Sequence, residues 1–168
     1  MEIGIVYFSL SGRTETLSYL LKKVIEQENF NVSVVRLETK QTGNFLKNCI
    51  DAFTQKNVKL QLVPDIKKFD VIFLCTPVWA FNITPAIRSF LNLSDMSGKK
   101  VFLLITYGSG KGKEQAMDNF ENLVKKSGGE VIGKFYVKGK KVKEEFYIIQ
   151  GGIKKCLREF QQIRHPGQ

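Results

Sequence analysis

Hydroxyl groups at Ser9, Ser11 and Thr14 surround Gly12 where an apolar stretch, residues 3–8, gives way to a helical stripe of Leu17, Leu20, Leu21, Val24 and Ile25. A strand, a turn and a helix start in that order suit an anion. The first backbone N–H groups of a helix have no intrahelical acceptor and sit at the positive end of its dipole, so a phosphate can bind there without a metal. Ser9, Ser11 and Thr14 would add donors, and Gly12 lets the backbone close around an oxyanion. The same residues also fit an ordinary helix cap, with Ser11 or Thr14 satisfying the first amides. The turn is not a Walker A loop, and it lacks the Gly-x-Gly-x-x-Gly dinucleotide fingerprint.

Two further segments carry unusual chemistry. Thr76-Pro77-Val78-Trp79-Ala80-Phe81-Asn82-Ile83-Thr84 places large aromatics after an apolar run, and Thr106-Tyr107-Gly108-Ser109-Gly110-Lys111-Gly112-Lys113 offers glycine-rich backbone that a ligand can approach closely. On this reading Trp79 and Phe81 lie in a loop beyond their strand, where a large ring needs a surface to cover; the plainer alternative makes them core residues at a strand end. A histidine triad or metal site is not expected, because the single histidine, His165, stands next to Pro166 in the tail. Cys49, Cys75 and Cys156 show no Cys-x-x-Cys spacing, which argues against zinc and against a thioredoxin-like pair.

The elements that must position these segments follow from periodicity. Residues 3–8, 31–37, 69–75, 101–106 and 131–137 read as strands, and 69–75 is apolar enough to be buried on both faces. Between them lie the first helical stripe, a second at 44–55 (Phe45, Leu46, Cys49, Ile50, Phe53), and a third opened by Pro85 (Ile87, Phe90, Leu91). A fourth (Ala116, Met117, Phe120, Leu123, Val124) stops at Gly128-Gly129, and the last comprises Ile149, Ile153, Cys156, Leu157, Phe160 and Ile163. Gly151-Gly152 blurs the start of that last helix. Strand and helix alternate five times, so an α/β fold is expected: a three-layer, doubly wound five-stranded parallel sheet. A ligand then belongs at the carboxyl ends of the strands, where the three segments fall.

The chain has 168 residues, 43% of them hydrophobic, which suits one domain over residues 1–163 with a tail at 164–168. No apolar run is long enough for membrane insertion, and the N-terminus enters a strand directly, so a cytoplasmic location is expected. The net charge of +10 is the odd global property. Its lysines are spread in pairs along the chain, including Lys22-Lys23, Lys99-Lys100 and Lys140-Lys141, as on a solvated surface, and no specific nucleic acid is expected.

These residues resemble the flavodoxin family. Ser9-Leu10-Ser11-Gly12-Arg13-Thr14 is similar to its FMN phosphate loop, and Thr76-Pro77-Val78-Trp79 with Pro85 and Phe90 resembles the segment flanking the isoalloxazine ring in flavodoxin-like proteins and related FMN reductases. The resemblance spans the chain and implies strand order 2-1-3-4-5 and FMN as cofactor. It implies a site at Ser9, Leu10, Ser11, Gly12, Arg13, Thr14, Thr76, Pro77, Val78, Trp79, Ala80, Phe81, Asn82, Thr106, Tyr107, Gly108, Ser109 and Gly110, with Trp79 or Tyr107 against the ring and no catalytic side chain or metal. Arg13 replaces the family's usual Asn, and the net positive charge is opposite to the acidity of electron-carrying flavodoxins. The first functional expectation is an electron carrier between redox protein partners, acidic ones suiting the charge. The alternative is an FMN-dependent NAD(P)H:quinone-type oxidoreductase, monomeric or homodimeric. A phosphoacceptor receiver, which shares the alternation, would need an aspartate where Cys75 stands and an acidic pair where Ser9-Leu10 stand.

Overall fold

Apolar runs at the centre of the chain dictate a sheet covered on both sides, and the computed structural model, which describes residues 1–40 and 57–164 (side chains to 161), has that architecture. The elements are β1 (Glu2–Tyr7), α1 (Arg13–Gln27), β2 (Asn31–Arg36), β3 (Val71–Trp79), β4 (Asn82–Ile83), α2 (Pro85–Leu93), β5 (Lys100–Tyr107), α3 (Lys113–Lys126) and β6 (Glu130–Lys138). A 3-10 turn (Gly139–Lys141) and α4 (Val142–Arg164) complete them. The main sheet has the order β2-β1-β3-β5-β6, all parallel, with β4 antiparallel on β3 alone. With the short β4 set aside, this is the flavodoxin-like 2-1-3-4-5 order. The helix expected at 44–55 lies outside the described residues, as do the side chain of Ile163 and the tail beyond Arg164.

The alternation of side chains along β3 builds a core on each face. Ile72 and Leu74 pack with Ile87 and Phe90 of α2 and Met117, Phe120 and Val124 of α3. Val71, Phe73 and Cys75 pack on the other side with Leu17, Leu21 and Ile25 of α1 and Ile153 and Leu157 of α4. Phe73 and Phe102 stack across β3 and β5 with centroids 4.5 Å apart and planes inclined by 12°. Each fully buried ring of this kind contributes roughly 1.5–3 kcal/mol over an exposed one.

Two elements differ from expectation. β3 does not end at Cys75; it continues through Pro77 to Trp79. α4 starts at Val142, ahead of the expected stripe, because buried Val142 and Phe146 extend its apolar face by two turns and carry the helix through Gly151-Gly152.

Gly151 meets nothing within 4 Å of where a Cβ would stand. Gly151→Ala is therefore expected to raise unfolding free energy by about 0.5–1 kcal/mol in urea titrations; a loss of stability would mean that the position needs glycine for a reason other than space. The Cys75 thiol is pushed up to about 12 by burial. In the unfolded chain it ionises at its ordinary value near 9.0, so the folded state holds the proton more tightly and stability falls as pH rises past that value, by up to about 1.4 kcal/mol per pH unit. Cys75→Ala should flatten the dependence above pH 9, by about half a proton's worth at pH 9 and nearly one by pH 10, read from denaturation midpoints.

Candidate functional site

β1, β3 and β5 finish at the same edge of the sheet, and the structure gathers their loops there. After Tyr7, the Phe8 amide donates to the Cys75 carbonyl at 3.2 Å, keeping the first loop on β3 for one more residue. Gly12 then adopts φ 79°, a left-handed conformation that favours glycine, and α1 begins with no side chain capping it. The helix-cap reading of Ser11 and Thr14 thus fails. Thr14 Oγ1 lies 2.9 Å from Thr106 Oγ1, both buried, which ties the start of α1 to the end of β5. Thr16 Oγ1 donates to the Gly12 carbonyl at 3.0 Å. Ser9 Oγ is buried and has no hydrogen-bond partner, an arrangement that costs about 1–3 kcal/mol until something fills it.

A second brace comes from β2. Arg36 Nη1 reaches Glu15 Oε1 at 2.9 Å in the first turn of α1, and Arg36 Nη2 donates to the Ser9 carbonyl at 3.4 Å. The Tyr7 hydroxyl donates to the same Glu15 oxygen at 3.2 Å, and burial first, then the Glu15 charge, raises its pKa. The ion pair is half exposed, so it orients the loop more than it stabilises the fold.

The aromatic segment is a hairpin rather than the expected loop. Val78 pairs with Ile83 and Trp79 with Asn82, and Ala80 (φ 44°) and Phe81 (φ 63°) both turn through positive φ. That is the signature of a type I′ hairpin turn, a conformation for which Asn-Gly is the usual sequence. Its base is pinned by Thr76 Oγ1, 3.0 Å from Thr84 Oγ1 and accepting from the Thr84 amide at 3.3 Å. Asn82 Oδ1 accepts from the Ile83 amide at 3.0 Å. Trp79 therefore belongs to β3, is buried, and meets Phe8 edge to face at 5.6 Å. The exposed Phe81 ring packs onto Gly112, which at φ 70° starts α3. Above the Tyr107 ring sits the Lys113 ammonium, 4.8 Å from its centroid.

These parts enclose a cleft of about 230 Å³ lined by Leu10, Ser11, Arg13 and Thr14, by Pro77, Val78 and Trp79, and by Thr106, Tyr107 and Gly108, with Gly139 closing one side. Three loops expected at the site do meet. Ser9, Thr76, Ala80, Phe81, Asn82, Ser109 and Gly110 are not in the lining, and Gly12 lines a neighbouring cleft. Thr76 and Asn82 use their side chains to hold the hairpin, and Ser109 Oγ accepts from the Lys111 amide at 3.4 Å. Gly139, just after β6, was not among the expected site residues. A Cβ there would stand 3.0 Å from Arg13 Cδ and 3.3 Å from the Tyr107 carbonyl oxygen. A glycine just after the last strand was the available signal. No cluster of metal-ligating side chains and no helix long and apolar enough to cross a membrane occurs among the described residues.

Comparison with known proteins agrees with this geometry. The family model described as NADPH-dependent FMN reductase matches residues 1–142. Among solved structures, the chain is similar to a flavoprotein in complex with FMN from Lactobacillus acidophilus NCFM, with TM-score 0.65, 18% identity, and coverage of 86% of this chain and 97% of that one. Oxidised flavodoxin 2 from Bacillus cereus gives TM-score 0.65 at 19% identity over 95% and 99% of the two chains. Two-electron reduced Megasphaera elsdenii flavodoxin gives 0.58 at 25% identity over 82% and 86%. A search of curated protein sequences gives no match.

The contact between Phe81 and Gly112 yields a test. Gly112→Ala drives a methyl group into the ring and strains a positive φ, so it should lower stability by about 2–4 kcal/mol. Adding Phe81→Ala should recover the steric part and leave about 1 kcal/mol from the backbone. If the two changes simply add in denaturant titrations, the ring does not seat on that glycine.

Proposed function

The chain belongs to the NADPH-dependent FMN reductase family, and from that premise we propose that it binds FMN in the cleft at the carboxyl ends of β1, β3 and β5 and oxidises NADPH. The meeting of the three loops around one cleft carries this reading. The fit to FMN rests on the chemistry of the lining. Ser11, Arg13 and Thr14 at the start of α1 line the cleft, Arg13 supplies positive charge, and Ser9, two residues ahead of Ser11 on the same turn, holds a buried hydroxyl without a partner. Together they suit a phosphate. Away from that end the walls are Pro77, Val78, Trp79 and Tyr107, rings and aliphatic surface of the kind a flat heteroaromatic ring covers.

When bound, FMN supplies the electron-transfer chemistry. The protein's own residues bind, orient and shield it. The Thr14–Thr106 hydroxyl pair fixes the distance between the phosphate end and the β5 loop. The strained turn at Ala80–Phe81 closes the hairpin that carries Val78 and Trp79 into the cleft, and such strain is characteristic of functional sites. Lys113 above Tyr107 keeps a positive charge near that wall, which favours ligands that gain negative charge.

A second reading, an electron carrier between protein partners, draws support from the 25% identity with the Megasphaera elsdenii flavodoxin, and the net charge of +10 suits acidic partners. Calorimetric titration of the apoprotein with FMN and with riboflavin, which lacks the phosphate, tests the binding step. FMN is expected to bind at least tenfold more tightly, and Ser9→Ala should weaken FMN by about tenfold while leaving riboflavin unchanged. Equal loss for both ligands would remove the phosphate loop from the site. Anaerobic mixing of the FMN-loaded protein with NADPH then separates the two readings. Bleaching of the flavin bands by NADPH alone supports the reductase, and bleaching only with a reduced carrier protein supports the carrier.

A further inference from the structure

Beside the FMN cleft lies a second, of about 400 Å³, lined by Ser11, Gly12, Arg13 and Thr16 on one side and by the segment from Gly139 to Glu144 on the other. Its cations are Arg13, Lys140, Lys141 and Lys143, and Glu144 is the one carboxylate in the lining. Several cations elsewhere on the surface have partners: Lys22 pairs with Glu26, Arg36 with Glu15, Lys100 with Glu130, Lys125 and Lys134 with Glu121, and Arg158 with Glu28. Among the described residues, none of the cations at this cleft makes an ion pair, not even with Glu144. A concave site with unpaired cations on both walls is built for a multiply charged anion.

The two clefts adjoin. Ser11, Arg13 and Gly139 line both, and Arg13 crosses the divide, its Cδ packed against Gly139 and its Nη1 3.8 Å from where a Cβ on that glycine would stand. Absence of a side chain at Gly139 leaves room for Arg13 to lie across the divide. A phosphate seated at the Ser9–Thr14 turn is therefore within reach of both, and a group attached to that phosphate has a basic channel to enter.

We propose that the second cleft receives the second phosphate and the adenosine of a flavin dinucleotide, so that this chain accepts FAD as well as FMN, with Lys140 and Lys141 determining that specificity. The proposal rests on the flavin reading of the first cleft. Shared lining favours one covalently continuous ligand over a separate anion. The volume falls in the range of roughly 300–1,000 Å³ found for small-molecule sites, and the stems of the lysines offer apolar surface for the nucleoside.

Calorimetric titration of the apoprotein with FMN and with FAD, in wild type and in Lys140→Ala/Lys141→Ala, tests it. Both lysines are exposed, so the variant is expected to fold, with circular dichroism and the denaturation midpoint as checks. In wild type FAD should bind within about threefold of FMN or more tightly. The double substitution should weaken FAD about tenfold or more while changing FMN by less than about twofold, and the FAD loss should shrink as salt is raised. Exclusion of FAD by a protein that binds FMN overturns the proposal alone, as does an equal loss for both ligands or no loss for either. If neither flavin binds, the flavin reading has failed and the proposal falls with it.

Discussion

Burial of β1, β3 and β5 on both faces is the constraint from which the other features descend. These strands are nearly continuous apolar runs, and their side chains feed two separate cores. A strand buried on both faces cannot be joined to its neighbour by a hairpin across solvent. It needs a crossover with a helix, and helices on both sides make the strands parallel. Parallel strands put all carboxyl ends at one edge. The loops that leave β1, β3 and β5 are brought together by this geometry alone, before any specific contact between them. The Thr14–Thr106 bond and the packing of Phe81 on Gly112 then convert adjacency into a fixed shape.

Local pattern revealed the sheet and the three loops that meet at its edge because the relevant signals are local. Alternation and apolar runs mark the strands, and Gly12 beside Ser11 marks the first turn. The extent of β3 was hidden by Pro77, which ordinarily argues against an interior strand. The register explains why it is tolerated: β1 ends opposite Cys75, so beyond that point β3 has β5 on one side and no strand of the main sheet on the other. The start of α4 was hidden by Gly151-Gly152, whose propensity is overruled by the burial of Val142 and Phe146. Lys140 and Lys141 look like the other lysine pairs in sequence. What sets them apart is their place on the wall of a cleft that Arg13 lines from the other side, a property of three dimensions that no spacing encodes.

Strain and unmet polarity are concentrated at the same edge. Ala80 and Phe81 hold positive φ with side chains that disfavour it, and Ser9 keeps a buried hydroxyl unpaired. The aromatic and aliphatic packing below them, such as the Phe73–Phe102 stack, is far more regular. The rigid sheet tolerates local conformations that would relax on a less supported loop, and a ligand that satisfied Ser9 would recover part of their cost.

The position of β1 in the sheet also governs the order in which the protein can assemble as it is made. β1 is synthesised before both of its neighbours, β2 and β3, and its contact with the residue just ahead of β3 spans 68 residues, from the Glu2 amide to Asp70 Oδ2. At about 5–20 residues per second, that partner emerges from the ribosome several seconds after β1 does. During this interval β1 can pair with β2 alone, and its other edge, made of Ile3, Ile5 and their neighbours, stands unsatisfied. The nascent chain is therefore most exposed to misassociation before β3 arrives, and the closure of that long loop sets a natural slow step in its folding.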